Sequence, residues 1–182
     1  FMFFTFFIQA QNLPNSYEEV LDQPYIKVAK INKTTSEAYR MDGSNFNIRQ
    51  VNVDAQGRNI INDAANEPSL VIDPTNPLRM AIGWRQFDTI ASNFRQAGVA
   101  FSENGGNSWK NMKPIEEAIF RSDPVLDTDK NGNFFYNSLS SNNSGYYCHV
   151  FKANAGKDVW SNGVFAYGGD KQWMAIDRSV GE

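Results

Sequence analysis

The stretch Glu67-Pro68-Ser69-Leu70-Val71-Ile72-Asp73 decides the fold, because related stretches occur twice more along the chain. They are Asp123-Pro124-Val125-Leu126-Asp127-Thr128-Asp129 and, more distantly, Lys171-Gln172-Trp173-Met174-Ala175-Ile176-Asp177. The closing aspartates lie 56 and 48 residues apart. A repeat of about 50 residues with several short strands is typical of β-propeller blades, which have four strands each. The repeat therefore predicts an all-β propeller of four-stranded antiparallel blades.

Each of the first two repeats has room for four strands separated by turn residues. The first repeat predicts strands at Ser69–Ile72, Arg79–Trp84, Gly98–Ser102 and Ser108–Met112, with a turn over Asp73–Pro77. The second predicts strands at Val125–Asp127, Asn133–Leu139, Tyr146–Lys152 and Val159–Phe165. The third repeat has only begun at Glu182, so about two and a half blades are present, and we expect the rest of the ring to lie in further sequence.

Composition and charge exclude some classes of protein. Of the 182 residues, 41% are apolar and 20% are charged, which is ordinary for a globular protein. The net charge is −3 and no stretch concentrates Lys and Arg, so no nucleic-acid partner is expected. The single cysteine, Cys148, cannot form an internal disulfide. The single histidine, His149, has no second His or Cys ligand and is interpreted as a packed or surface strand residue; no cofactor is expected.

Residues 1–10, FMFFTFFIQA, carry no charge and are too short to span a bilayer. They match the apolar part of a signal peptide, with Ile8 and Ala10 at the −3 and −1 positions before Gln11. The hypothesis is a secreted or cell-envelope protein whose true N-terminus lies upstream; a buried first strand is the alternative. No other stretch is apolar enough to enter a membrane.

Residues 11–60 are polar and weakly patterned, and they are predicted to form a lead-in arm before the partial propeller of residues 61–182. Within the arm, Tyr17–Leu21 is a candidate helical turn, and Tyr25–Ile31 and Ile48–Val53 are candidate strands. Asp54–Gly57 is predicted to be a turn.

The stretch Ser102-Glu103-Asn104-Gly105-Gly106-Asn107-Ser108-Trp109 matches the Asp-box pattern Ser-x-Asp-x-Gly-x-Ser/Thr-Trp, with Asn104 at the aspartate position. In such a turn the Asx side chain accepts backbone N–H bonds, and Gly106 takes a conformation that a Cβ would penalise. Ser102, Asn104, Gly106, Ser108 and Trp109 are thus predicted to stabilise the fold. The second repeat keeps Asn154 and Gly156 at the same offset, with Trp160 one place late.

On these residues the chain resembles the sialidase-like family of Asp-box (BNR-repeat) propellers, in particular an exported bacterial branch often labelled exo-sialidase-like. The similarity covers about residues 48–182, including Asn66-Glu67-Pro68-Ser69 and Gly83-Trp84-Arg85-Gln86-Phe87-Asp88. It implies a ring of six blades when complete. The family contains hydrolases, lyases and non-catalytic binders. This chain lacks the Phe/Tyr-Arg-Ile-Pro motif of true sialidases, so no catalytic residue is transferred.

Chemistry, if present, is expected on the face that collects the loops between the second and third strands of each blade. There the loop Arg85–Ala97 contributes Arg85, Asp88 and Arg95, and the connections into the first strands add Asp63, Glu67, Arg121, Asp123, Lys171 and Trp173. Arginine forks match carboxylate geometry, and a neighbouring Asp or Glu suits glycoside cleavage. The alternative, which we favour, is that these residues bridge neighbouring blades. Trp84 and Trp173 suit sugar stacking, although blade packing is favoured.

The loop containing Asp127, Asp129, Asn131 and Asn133 has the oxygen spacing of a calcium site. An EF-hand would need Glu where Ser138 stands, and Asn-Gly is a strong hairpin signal. A plain turn without metal is therefore favoured.

Two functional hypotheses follow. The first is a non-catalytic module that binds a glycan or an extracellular protein. The alternative is a sialidase-like glycoside hydrolase that acts on extracellular glycans. The sequence predicts no oligomeric state.

Overall fold

The computed structural model describes residues 22–28, 33–142 and 145–179. Over these residues the fold is all-β and contains no helix. No segment of the described ranges forms a helix that could cross a membrane. The strands are β1 Thr35–Ser36, β2 Arg40–Asp42, β3 Asn47–Arg49, β4 Asn59–Ile60, β5 Ala64–Asp73, β6 Asn76–Phe87, β7 Gln96–Ser102, β8 Lys110–Asn111, β9 Ser122–Thr128, β10 Phe134–Asn142, β11 Gly145–Ala153 and β12 Val164–Phe165.

Two four-stranded antiparallel sheets form the body of the structure. The first has the order β5-β6-β7-β8 and the second the order β9-β10-β11-β12, so each strand pairs with its neighbour along the chain. All eight predicted strand positions fall within or overlap these strands. The third repeat forms no strand within residues 164–179 beyond β12, although its Ile176 N–H donates to Asp127 Oδ2 of β9 (2.7 Å).

The arm differs from its prediction in part. Its strands form two small antiparallel sheets, β1-β4 and β2-β3. The expected strand at Ile48–Val53 is wrong in its bounds, because β3 ends at Arg49 and Val53 makes only an isolated bridge with Asn59. Of the candidate strand Tyr25–Ile31, residues 25–28 form no strand and residues 29–31 lie outside the described residues. The Asp54–Gly57 turn is present, whereas residues 1–10 and the helical turn at Tyr17–Leu21 lie outside the described residues.

The hydrophobic core lies between the two large sheets. Apolar side chains of the first sheet pack there against those of the second; they include Val71, Ala81, Val99 and Phe101 on one side and Leu126, Phe134, Tyr136 and Phe151 on the other. The Phe101 and Phe134 rings stack with centroids 6.2 Å apart. Burying each large aromatic contributes about 2–3 kcal/mol, so this contact supplies much of the stability of the pair of sheets.

The sheets approach closely at Gly83 in β6. A Cβ on Gly83 would overlap the side chains of Tyr136 and Leu126, and Tyr136 is fully buried and cannot move aside. Tyr136 also donates its hydroxyl to the Gly98 carbonyl (3.3 Å). Glycine is therefore required at position 83 by the neighbouring sheet.

A buried arginine, Arg79, joins the same two sheets nearer the start of β6. Arg79 forms an ion pair with Asp73 (3.1 Å), and both side chains are almost fully buried. Its guanidinium also donates to the carbonyls of Gly132 (2.9 Å) and Lys157 (2.7 Å), which belong to two turns of the second sheet. It lies over the Phe134 ring, 4.1 Å from the centroid. One side chain thus connects a turn of the first sheet to two turns of the second.

Replacing Arg79 by methionine tests this connection. Arg79→Met leaves the Asp73 carboxylate buried without its cation and removes donors from two carbonyls, so we expect the free energy of unfolding to fall by about 3 kcal/mol. Chemical denaturation of the variant and of the parent chain measures the difference. Arg40→Met is the matched control, because Arg40 is largely exposed; equal losses in the two variants would contradict the role given to Arg79.

Candidate functional site

The three repeats share a backbone feature that brings their first residues to one place. Glu67, Asp123 and Lys171, which open the three related stretches, all have a positive φ, at 49°, 46° and 62°. In β5 and β9 the pairing register shifts at this point, as in a β-bulge. The left-handed conformation is uncommon for residues other than Gly, Asn and Asp, and it occurs where the surrounding structure enforces it. The following Pro68 and Pro124 suit a bulge, where a ladder N–H is not needed.

The two bulge residues Glu67 and Asp123 lie beside Arg85, and with Lys171 they form the inner cluster of Glu67, Arg85, Asp123 and Lys171. Arg85 pairs with Glu67 (2.9 Å) and lies 3.9 Å from the Asp123 carboxylate. Its Nε donates to Asn66 Oδ1 (2.8 Å), which fixes the plane of the fork. Lys171 approaches Glu67 at 4.0 Å. The sequence-predicted Glu67, Arg85 and Asp123 are therefore brought together.

Asp88 and Arg95 lie outside the inner cluster. The two carboxylate oxygens of Asp88 accept bonds from the amides of Gln86 (3.1 Å) and Gln96 (2.9 Å). Arg95 pairs with Asp22 of the arm (2.7 Å), and its Nε donates to Ser122 (3.0 Å). The loop between β6 and β7 is thus held by the arm, and Arg95 is engaged there.

Arg121 is also separate from the inner cluster, because its side chain is buried between the sheets. It pairs with Glu116, and its Nη1 lies 3.2 Å from His149 Nδ1. Burial and, next, the Arg121 charge lower the pKa of His149, so the imidazole is neutral at physiological pH. His149 packs against Phe165 and Phe151, as expected for a packed strand histidine. These contacts favour bridging over ligand binding for Arg121.

Asp63 lies elsewhere again, beside the arm. Burial raises the pKa of Asp63 to about 6, the charge of Lys33 opposes this shift, and the charge of Asp88 adds to it. Among the described residues no group donates a hydrogen bond to Asp63. The two tryptophans also differ: Trp84 is 3% exposed, whereas Trp173 is 80% exposed. Trp84 is thus a packed residue, and packing of Trp173 against a further blade stays a prediction.

The Asp-box stretch forms the turn between β7 and β8, as predicted. Asn104 Oδ1 accepts the Ser108 N–H (2.9 Å) and the Ser102 hydroxyl (3.0 Å), and Ser102 Oγ accepts the Gly106 N–H (2.9 Å). Gly106 has φ 82°, and Trp109 packs near it. Asn104 Nδ2 also donates to Ser108 Oγ (2.8 Å), a donor that an aspartate lacks. The turn is thus closed on itself as a structural element.

In the equivalent turn of the second repeat, a tryptophan packs against the core in place of the side-chain hydrogen bonds of the first. Asn154 O accepts the Lys157 N–H (2.9 Å), and Gly156 has φ 68°. Trp160 stacks on Phe101 with centroids 5.7 Å apart. The displaced tryptophan therefore fills the gap between the sheets.

The loop Asp127–Asn133, for which a calcium site was the alternative to a plain turn, forms a hairpin turn between β9 and β10. Asp129 Oδ1 accepts the N–H groups of Asn131 (3.0 Å) and Asn133 (2.9 Å). Asp127 binds Arg178 instead. Hydrogen bonds from Asn133 and Asn131 hold the pKa of Asp129 below its usual value although burial raises it. Within residues 22–28, 33–142 and 145–179, no three His, Cys, Asp or Glu side chains are grouped to hold a metal ion.

Sequence reasoning missed Arg79 and Asn66, and it missed the bulges. The signal that indicates a bulge is the pair of acid-Pro dipeptides directly before the predicted strands that begin at Ser69 and Val125. The partners of Arg79 lie 53 and 78 residues away in sequence, so no local pattern identifies them.

Comparison with known proteins adds no family: no family model matches the chain, and no significant match to a curated protein is found.

The Asn104 network yields a stability prediction. Asn104→Ala removes the acceptor of the Ser108 N–H and the Ser102 hydroxyl, and we expect it to reduce the free energy of unfolding by about 1–2 kcal/mol. Asn104→Asp keeps the acceptor oxygens and should stay within about 0.5 kcal/mol of the parent chain, because the Ser108 hydroxyl then donates. Denaturant titration compares the two variants. Equal stability of Asn104→Ala and the parent would contradict the role of this side chain.

The raised pKa of Asp63 yields a pH prediction. An acid whose folded pKa is raised contributes stability below its unfolded pKa of about 3.8, and this contribution is lost as the pH rises through about 6. We therefore expect Asp63→Asn to be more stable than the parent by about 2 kcal/mol above pH 7 and by nothing near pH 4. Thermal unfolding across this pH range measures the gap. The exposed Asp170→Asn is the control; a gap that does not change with pH would contradict the prediction.

Proposed function

We propose that the chain is part of an exported, sialidase-like β-propeller that acts as a non-catalytic binding module for a glycan or an extracellular protein. The observation that carries the proposal is the inner cluster, in which Glu67 of the first repeat and Asp123 of the second lie beside Arg85, and Lys171 of the third lies beside Glu67. Export rests on the uncharged apolar residues 1–10 alone.

The stacking of the two sheets supports the propeller part of the proposal. Two consecutive four-stranded antiparallel sheets pack face to face. In both sheets the strands follow one another in chain order, as the repeat predicts. The other face of the first sheet is apolar and exposed at Leu70 (51%) and Ile72 (45%). A propeller blade packs a neighbour on each face, so this exposed face fits a further blade.

The inner cluster supports binding. Glu67 and Lys171 keep 40% and 62% of their side-chain surface exposed, while Arg85 keeps 21%. Carboxylate oxygens and charged N–H donors therefore face solvent at adjacent positions. Such alternating donors and acceptors suit a ligand with many hydroxyl or amide groups.

The cluster favours binding over hydrolysis because its two carboxylates both face Arg85. Glycoside cleavage needs one carboxyl group held as an acid and another held ionised. The observation that favours the second candidate, a glycoside hydrolase, lies elsewhere: Asp63, with its pKa raised to about 6, and the amide-bound Asp88 interact electrostatically. Asp88 is also one of the candidate catalytic residues that the sequence predicts in the loop between β6 and β7.

A paired screen tests the proposed function. The full chain is applied to a glycan array and used in pull-downs from extracellular protein extracts. We expect saturable binding in one of them, and Arg85→Ala should weaken it at least about tenfold, because the variant loses the charged donors at the centre of the cluster. Arg40→Ala is the matched control, since Arg40 lies on the exposed β2 and far from the repeats in sequence.

Two results would overturn this proposal. Empty screens with the folded chain would contradict a binding module. Turnover of a fluorogenic sialoside by the same preparation would contradict a non-catalytic role and favour the hydrolase.

A further inference from the structure

The first described part of the arm, residues 22–28, lies against the loop between β6 and β7 and makes specific polar contacts there. Asp22 accepts a hydrogen bond from Arg95 Nη1 (2.7 Å) and forms an ion pair with it. Gln23 pairs twice with Asn93: the Gln23 N–H donates to Asn93 Oδ1 (2.7 Å), and Gln23 Oε1 accepts the Asn93 N–H (2.9 Å). This reciprocal pair uses both a backbone and a side-chain group of each residue, so it selects for an amide side chain at this position.

The same segment is attached by few other contacts. Residues 22–28 form no strand, and within the described ranges none of their backbone groups bonds to another backbone group. Tyr25 adds an apolar contact, because its ring packs on Phe94 with centroids 5.2 Å apart. Most of the segment is exposed, including Ile26 (58%). Release of the segment therefore breaks no strand pairing and opens no part of the core.

The surface that receives the segment is held by contacts of its own. Arg95 Nε donates to Ser122 Oγ (3.0 Å), and Arg95 Nη1 donates to the Asn93 carbonyl (3.2 Å). The guanidinium lies over the Phe120 ring, 4.4 Å from the centroid, and Phe94 packs edge-on against the same ring. We call these five residues the Arg95 surface. Because none of these contacts involves the arm, the surface keeps its shape without the segment.

The Arg95 surface requires an occupant with a carboxylate. The Arg95 side chain is only 17% exposed, and in the part of the chain that the structure describes its one acidic partner is Asp22. A guanidinium that is largely removed from water is costly without an anion, and its planar fork matches a carboxylate. The occupant must therefore present an acid, then an amide, and then an aromatic ring three residues after the acid.

The Arg95 surface also adjoins the inner cluster. The Ser122 hydroxyl, which accepts the Arg95 hydrogen bond, donates to Asp123 Oδ1 (2.6 Å). Asp123 in turn lies 3.9 Å from Arg85. A protein bound at this face of the molecule therefore has the Arg95 surface within reach.

We propose that the Arg95 surface recognises an extended segment of a partner protein with the pattern Asp-Gln-x-aromatic, and that the arm occupies this site until the partner displaces it. The partner's carboxylate pairs with Arg95, its glutamine pairs with Asn93, and its ring packs on Phe94. A proline at x, as Pro24 in the arm, favours an extended preceding residue and lowers the cost of ordering a free segment. The site stands on these contacts and does not depend on a ligand of the inner cluster.

NMR of the ¹⁵N-labelled full chain tests the site, with a synthetic peptide of residues 22–28 as the probe. A released variant carries Asp22→Ala, Gln23→Ala and Tyr25→Ala, so its own segment no longer competes. We expect the peptide to shift the Arg95 Nε–H signal of this variant saturably. Its affinity should be about tenfold higher than for the parent chain, because a tethered segment competes at an effective concentration of about 1 mM. Comparison with Arg95→Lys assigns the signal.

Substitutions in the peptide test the recognition pattern and leave the folded protein unchanged. Asp22→Asn in the peptide removes the carboxylate, so its affinity for the released variant should fall by about tenfold. Tyr25→Ala in the peptide should also weaken binding, because the ring on Phe94 is lost. Lys27→Ala is the matched control, since Lys27 is exposed, and this peptide should bind like the unsubstituted one.

The proposal is wrong if the folded released variant shows no saturable shift, or if the Asp22→Asn peptide binds as tightly as the unsubstituted peptide. Size-exclusion chromatography separates a partner protein from a second copy of the chain. We expect the parent chain to be a monomer; a dimer that the released variant does not form would mean that two copies exchange their segments, and would overturn the assignment to a partner protein. Because the probe is a peptide and the readout is Arg95, these results are distinct from glycan binding at the inner cluster.

Discussion

The buried ion pair between Asp73 and Arg79 holds the relative position of the two large sheets. Burial raises the pKa of Asp73, but hydrogen bonds from Thr75 and the Arg79 charge outweigh it and keep the pKa below its usual value. The carboxylate therefore stays ionised beside its cation. Because the same guanidinium binds carbonyls of the second sheet, the pair fixes the angle at which one repeat meets the next. The aromatic core fills the space that this arrangement defines.

The positions of the functional side chains follow from this stacking. Since the sheets are stacked in repeat order, equivalent bulges in successive repeats lie next to one another, and Glu67 and Asp123 both reach Arg85. The third repeat joins them through Lys171 and through Gln172, whose amide donates to the Asp123 carbonyl. A cavity of about 530 Å³ has a different origin, because it lies between the arm and the first sheet.

Sequence predicted the local structure of the repeats better than their mutual contacts. Apolar alternation and turn residues are local, so the strands around Val71 and Tyr136 and the turn at Asn104 were predictable. The sequence placed Glu67, Asp123 and Arg85 on the same face of the sheets, but it did not predict that they contact one another. The left-handed backbone at these positions was not predictable from residue type, because Glu and Lys rarely adopt it. The cavity depends on where the arm docks, and the weakly patterned arm gave no signal for that.

The bulge has a consequence for how such a protein can diversify. At this position the backbone turns aside from the sheet, and the side chain leaves the ladder without taking part in strand pairing or core packing. The first two repeats place Glu67 and Asp123 there, and Lys171 of the third repeat shares the positive φ. The bulge residue can therefore be replaced, and the charge of the exposed cluster altered, one residue at a time without changing the strand pairing or the core.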